Sequence, residues 1–210
     1  MQHETTKKRT KWEEKREASY QALVDSAMRQ FHDHGYAKTR LEDILEGTGY
    51  TSGAFYFHFK SKADCFWHAI EHRQSQRGDW SKITAGLDPQ TTSLNEILTS
   101  VFGHFTAIHE GMHYWPLVMV DFYNQHRTDP EVRERFKAVY ARWHGEIVRF
   151  VTALQDGGWV DRDRDPVGLA TQLFAATEGF RVHTALYSLE LDGVGPALVE
   201  LLASILEKRD

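Results

Sequence analysis

Residues 49–62 read GYTSGAFYFHFKSK. Two hydroxyls, Thr51 and Ser52, lead into the small Gly53 and Ala54, and then five rings follow in a row, Phe55, Tyr56, Phe57, His58 and Phe59. Such a ring run favours a β-strand by propensity, but no partner strand or hairpin turn lies nearby. There is room for about two helical turns between Gly49 and Ser61. In a helix Phe55 and Phe59, four apart, share one face. Tyr56 and the Thr51–Ser52 start then point away from that face. Small residues at a helix start let the backbone come close to a base edge, and the first N–H groups face phosphate favourably. The chemistry on offer is nucleic-acid contact.

Other chemistries find less support. His68 and His72, and His109 and His113, are spaced for two imidazoles on one metal, yet no carboxylate or cysteine cluster accompanies them. The expectation is no metal and no cofactor. There is no Gly-rich phosphate loop, no nucleophile elbow and no HExxH, so an enzyme is not expected. Cys65 is the only cysteine and sits beside Phe66 and Trp67, a packing context. A lone cysteine, a polar start (MQHETTKKRTKWEEKR) and the absence of a long apolar run point to a cytoplasmic protein without membrane contact.

The elements that must carry the site are helical. Leu23, Val24, Ala27, Met28 and Phe31 form one apolar face, with Gly35 expected as a left-handed cap. Thr39 with Glu42 reads as a capping box for a short helix whose stripe is Leu41, Ile44 and Leu45, ended by Gly47 and Gly49. Thr51 or Ser52 can cap the next helix, and Ser61 with Asp64 the one after. A capped short helix, a glycine turn and a second short helix make a helix-turn-helix layout. Farther on, Asp88-Pro89, Asp129-Pro130 and Asp165-Pro166 each read as a helix start. Pro116 interrupts an aromatic stretch, QDGGWVDRDRDP reads as a polar loop, and DGVGP is expected to separate the last two helices. With no convincing strand, the fold class is all-α, about nine helices. Charge is uneven along them. Residues 1–78 hold 13 Lys and Arg against 11 Asp and Glu (+2), and residues 79–210 hold 12 against 19 (−7), which returns the net −5. A mildly basic first third on an acidic body fits nucleic-acid contact through one end.

Over residues 14–74 the chain resembles the TetR family of bacterial transcriptional regulators. Phe31, Gly35 and Tyr36 match the end of that family's first helix, Thr39, Asp43 and Ile44 its second, and Gly49, Gly53, Tyr56, His58, Phe59, Ser61 and Lys62 its recognition segment. Tyr50 and Phe55 stand where aliphatics are usual, Leu45 where a small residue is usual, and Phe57 at a variable place. The resemblance implies an N-terminal three-helix DNA-binding domain (14–74) after a basic arm (1–13, with Lys7, Lys8, Arg9 and Lys11), then a helical effector-binding and dimerisation domain (75–210). It implies phosphate contacts from Thr39, Tyr56, His58 and Lys62, with Arg40, Thr51, Ser52, Gly53 and Ala54 closest to base edges. Phe57 is expected either beside a thymine methyl or packed on the following helix. Donors of those types suit positioning, and a guanidinium suits guanine.

The body resembles the family only loosely. Leu169, Leu173, Ala176, Phe180 and His183 recur along one stripe, and Leu198, Leu201, Leu202 and Ile205 along another. In that family the last two helices build a homodimer, so these stripes are expected to form the interface. Rings and imidazoles crowd the middle helices. Phe102, Phe105, Trp115, Met119, Phe122, Tyr123, Trp143 and Phe174, with Glu178 as a partner for a ligand cation, are expected to line a small-molecule effector site. The implied function is a DNA-binding regulator, repression being the commoner mode, released from a palindromic operator by that effector. Alternatives are a ligand-free regulator acting through a protein partner, or a metal-responsive one.

Overall fold

The structure is a computed structural model describing residues 10–75, 79–108, 113–187 and 191–207, with the side chains of 81, 105–108 and 191–194 outside the description. Lys7, Lys8 and Arg9 of the expected arm, and His109, lie outside the described residues. Among the described residues there are nine α-helices and no strand. They fall into two compact units, Met1–Ser75 and Gln76–Asp210.

The first unit holds α1 (Lys11–His34), α2 (Leu41–Leu45), α3 (Ser52–His58) and α4 (Lys62–Ser75). Lys11 is not in an arm but in the first turn of α1, because Thr10 caps that helix. The Thr10 hydroxyl accepts from Glu13 N–H (3.2 Å), while the Glu13 carboxylate accepts from Thr10 N–H (2.7 Å). The apolar face read from the sequence is the core. Leu23, Val24, Phe31, Ile44, Phe55, Phe59, Phe66 and Ile70 are all buried, and the Phe31, Tyr36 and Phe66 rings meet at centroid distances of 5.3–5.6 Å. Phe55 and Phe59 pack ring to ring at 5.1 Å, so the aromatic run is a helix with one buried side. Burial pushes the Cys65 thiol up, consistent with an inert packing residue.

Three caps of this unit differ from expectation. Thr51 is the N-cap of α3 by position, but its side chain makes no capping hydrogen bond. The α2 start lies one residue later: Arg40 is the N-cap, and its N–H donates to the Asp43 carboxylate at 2.6 Å. Arginine has no acceptor, so only this half of a capping box forms. Gly35 has positive φ (80°) but extended ψ (160°), a conformation essentially confined to glycine and not the left-handed cap. Gly47 and Gly49 (φ 72° and 74°) make the turn between α2 and α3, with nothing close to where a Cβ would lie, so backbone conformation alone selects glycine there.

The second unit holds a 3₁₀ turn (Trp80–Lys82), α5 (Leu94–Ile108), α6 (Trp115–His126), α7 (Pro130–Gly157), α8 (Pro166–Tyr187) and α9 (Leu191–Leu206). Asp129-Pro130 and Asp165-Pro166 start helices. The Asp129 carboxylate accepts from Glu131 N–H, and the Asp165 carboxylate from Val167 and Gly168 N–H groups. Asp88-Pro89 does not. It forms a turn, and α5 starts later under a Ser93–Glu96 capping box. Pro116 opens α6 rather than breaking it. DGVGP is not a separator either: it lies inside the first turns of α9, where a Cβ on Gly195 would meet the Phe102 ring at 2.7 Å. The QDGGWV segment is polar only in part. Trp159 and Val160 are buried, and the indole N–H of Trp159 donates to the Thr92 carbonyl at 2.7 Å. The core of this unit joins Ile97 and Leu98 of α5, Phe150, Val151 and Leu154 of α7, Leu169 and Leu173 of α8, and Val199 and Ala203 of α9.

Candidate DNA interface and body cavity

On α3 the outward residues are Thr51, Ser52, Gly53, Tyr56 (60% exposed) and Phe57 (61% exposed), with Ala54 half-buried and Arg40 exposed on the neighbouring α2 start. Phe55 and Phe59 are excluded from this outward set by burial. Phe57 is largely exposed. Its ring lies beside the Arg16 guanidinium of α1, 5.9 Å from the carbon to the ring centroid.

Three of the four expected phosphate donors are turned inward. Thr39 is 1% exposed, and its hydroxyl donates to the carbonyls of Gly35 (2.8 Å) and Gln30 (3.0 Å). Lys62 Nζ donates to the carbonyls of Thr39 (2.8 Å) and Tyr36 (2.9 Å) and sits 4.4 Å from the Tyr36 ring centroid. That ammonium fastens the segment between α1 and α2 to the start of α4, so its charge is spent on carbonyls of that connecting segment. His58 braces α3 against α1. The Ser19 hydroxyl donates to the Arg16 carbonyl (2.9 Å), so Nε2–H of His58 is the donor in its 2.8 Å contact with Ser19 Oγ. Burial, then the nearby Arg16 charge, hold the His58 pKa below the ordinary histidine value. A neutral imidazole has one N–H, and here it is engaged. Of the four, Tyr56 alone faces outward.

The second unit contains an apolar cavity of about 60 Å³. Its walls are Trp80, Leu98, Val101 and Phe102 on one side, Ile147 and Phe150 from α7, Leu173 and Thr177 from α8, and Leu198 and Leu202 from α9. Among the expected effector residues only Phe102 is part of it. Phe122 is fully buried against His126 and Phe136, Trp115 is buried, and Phe174 packs on Tyr140. Met119 and Trp143 are half-buried and Tyr123 is exposed, none of them at the cavity, and the Phe105 side chain lies outside the description. Glu178 accepts from Arg181 at 2.7 Å instead of facing the cavity. Two of the missed wall residues, Leu98 and Val101, carry a signal of their own, since they belong to a stripe with Leu94, Ile97 and Phe102 that recurs at helical spacing.

The expected interface stripes also divide. Leu169, Leu173 and Leu198 are buried within the chain, and Leu173, Leu198 and Leu202 are cavity wall. Ala176 and Phe180 are half-buried, the latter edge-on to Phe102, and Ile205 packs against the core. His183 and Leu201 are exposed. Beside them the outward faces carry Val167, Ala175, Gly179 and Leu186 on α8 and Ala197 on α9. Among the described residues no group of three His, Cys, Asp or Glu side chains could hold a metal. No described helix is long and apolar enough to cross a membrane.

Residues 23–69 match the family model for bacterial regulatory proteins of the tetR family, and residues 115–207 match the model for the C-terminal part of BetI-type transcriptional repressors. The chain belongs to the TetR family. It is therefore a helix-turn-helix, DNA-binding transcription regulator and not an enzyme. It is 28% identical over 179 residues to a TetR-family relative, the uncharacterized regulator YwcC of Bacillus subtilis, covering 82% of this chain and 78% of that protein. It is 46% identical over 57 residues to TtgR of Pseudomonas putida, 27% of this chain and 26% of that one. Among solved structures the fold is similar to that of FadR from Bacillus subtilis in complex with stearoyl-CoA (TM-score 0.71, 17% identity, 90% of this chain and 100% of that chain). It is also similar to that of SmeT in complex with triclosan (TM-score 0.64, 20% identity, 91% and 92%).

Proposed function

We propose that this regulator is a cytoplasmic repressor that binds a palindromic operator as a homodimer and is released by a small, uncharged, apolar effector. The observation carrying the effector half is the cavity beside Phe102. It has no titratable wall residue, and its one hydroxyl, Thr177, already donates to the Leu173 carbonyl (2.8 Å). Such a wall disfavours an ionised ligand, whose desolvation nothing there offsets. The FadR and SmeT complexes, with stearoyl-CoA and triclosan, support a ligand with a large apolar part. A drug-sized ligand needs about 300 Å³ or more, so entry requires the half-buried walls, Val101, Phe102, Ile147 and Leu202, to turn. The small cavity also favours a second reading, a ligand-free regulator acting through a protein partner.

For the dimer, the outward faces of α8 and α9 support the reading better than the buried leucines. Ala175 and Gly179 on α8 and Ala197 on α9 are small enough for close helix approach, flanked by Leu186 and Leu201. Two symmetry-related heads then meet half-sites about one turn, roughly 34–36 Å, apart. Arg40, Thr51, Ser52, Gly53 and Ala54 read bases in this proposal, with Tyr56 on phosphate. Release follows if the effector binds one arrangement of the dimer better, a coupling of about 1–3 kcal/mol.

The test is selection of bound duplex from a random pool, followed by titration with decanol, decanoate and decylamine. A two-fold symmetric site weakened by decanol but not by the two ions supports the proposal. A site without two-fold symmetry removes the palindrome, and equal responses to all three probes remove the apolar cavity as the sensor. Operator binding indifferent to every probe, with a thermal midpoint that none of them moves, favours the protein-partner reading.

A further inference from the structure

With Thr39, His58 and Lys62 engaged inside the first unit, most of the expected phosphate donors are spent, yet a DNA-binding surface has to neutralise phosphates. Arg16 is a cation at the edge of the recognition surface that none of the sequence motifs includes. It lies on the exposed side of α1, one turn after Trp12, and its guanidinium carbon is 5.7 Å from the Trp12 ring centroid and 5.9 Å from that of Phe57. Both rings are largely exposed, at 60% and 61%. Large apolar rings left in solvent beside a DNA-reading helix call for a reason. Holding a guanidinium by its flat faces is one that keeps its N–H edge available.

The guanidinium has carboxylates within reach in sequence, Glu13 three residues before it and Glu17 beside it. Both line the same surface hollow, with Tyr20 and His58. Among the described residues it pairs with neither. The Glu13 carboxylate is taken up by the Thr10 N–H and hydroxyl (2.7 and 3.0 Å). The positive charge of Arg16 is nevertheless close enough to His58 to help lower its pKa. A positive, donor-rich edge therefore stands next to the C-terminal end of α3, seated on an aromatic pair and open to solvent. We propose that Arg16 is a further DNA-contacting residue, a phosphate anchor delivered by α1, with Trp12 and Phe57 as the seat that aims it. Arginine suits this better than lysine because only its planar head both stacks on rings and presents paired donors to a phosphate.

This rests on the first unit being the DNA-binding head, and the experiment keeps the two apart. The probe is random-sequence duplex DNA, for which phosphate contacts dominate affinity, measured over a series of salt concentrations. If the unsubstituted protein does not bind duplex at all, the head reading itself fails. If it binds, Arg16→Gln should weaken binding about tenfold and reduce the salt slope by about one, with helical content and melting unchanged. Arg16→Lys should keep the slope but bind more weakly, and Trp12→Leu should resemble it by loosening the seat. On a selected operator, Arg16→Gln should leave base preference as it was. Unchanged affinity and slope in Arg16→Gln would overturn the proposal. So would a changed base preference with an unchanged slope, since Arg16 would then act only by holding Phe57.

Discussion

The two units of this chain place their polar fastenings differently. In the first, hydroxyl, imidazole and ammonium side chains that look made for a partner are used to fasten short helices together. Thr39 and Lys62 close the α1–α2 connection, and His58 ties α3 to Ser19. In the second, such bonds gather at loops and helix ends, where Gln155 donates to the Asp161 and Arg164 carbonyls, Trp159 to that of Thr92, and Arg164 to those of Ile205 and Glu207. The long helices pack through apolar faces that leave a small space beside Phe102. A five-residue α2 and a seven-residue α3 are too short to hold themselves. Side-chain bonds to carbonyls supply what length cannot. Motif residues in a small head can thus be structural first, and only what remains outward can meet DNA.

The largest effect that sharpens this contrast is expected at Phe122. If it is core and not effector wall, Phe122→Ala should destabilise the second unit by about 3–5 kcal/mol, read from hydrogen exchange of body amides, with head amides unaffected. A near-neutral result would return Phe122 to the lining of a ligand site. Next is Lys62→Ala, which strips the Tyr36 and Thr39 carbonyls of a charged donor. A loss of about 2 kcal/mol in head stability is expected, with the salt slope of DNA binding kept once the protein is folded. A stable variant whose slope falls by about one would mean that the ammonium serves phosphate instead.

A smaller effect separates the two leucine sets. Leu201→Arg, on the exposed side of α9, should weaken dimerisation about tenfold, some 1.4 kcal/mol, in sedimentation while leaving monomer helicity intact. Leu198→Ala, at a buried cavity wall, should instead lower thermal stability without shifting the association constant. If Leu198→Ala dissociated the dimer and Leu201→Arg did not, the interface would follow the buried stripe after all.

The smallest effect is the pH response of His58. Its folded pKa lies below the unfolded value, chiefly through burial and then through Arg16, with Glu17 opposing and His68 adding. Above the unfolded histidine pKa of about 6.5 neither state is protonated and no penalty exists. As pH falls through that value, the unfolded chain takes a proton the folded head resists, so head stability drops. His58→Gln should flatten that acid-side loss, and Arg16→Gln should reduce it. A head whose stability rises on acidification would reverse the assignment.

Much of the head was already determined by local sequence. The i, i+4 pairing of Phe55 with Phe59, the glycine turn at Gly47 and Gly49, and the Leu23–Phe31 face each depend on neighbours a few residues away, and so did the helix starts at Asp129-Pro130 and Asp165-Pro166. The family resemblance rested on that same stretch. What only the tertiary structure decided is where each polar or apolar group spends its valence. The Lys62 ammonium meets carbonyls 23 and 26 residues away, and His58 meets Ser19 39 residues away. No spacing rule along one helix reports such partners. In the body, a stripe such as Leu169 and Leu173 looks the same whether a sister subunit or the chain's own α5, α7 and α9 covers it. Helical periodicity marks the side that is buried but carries no information about what buries it.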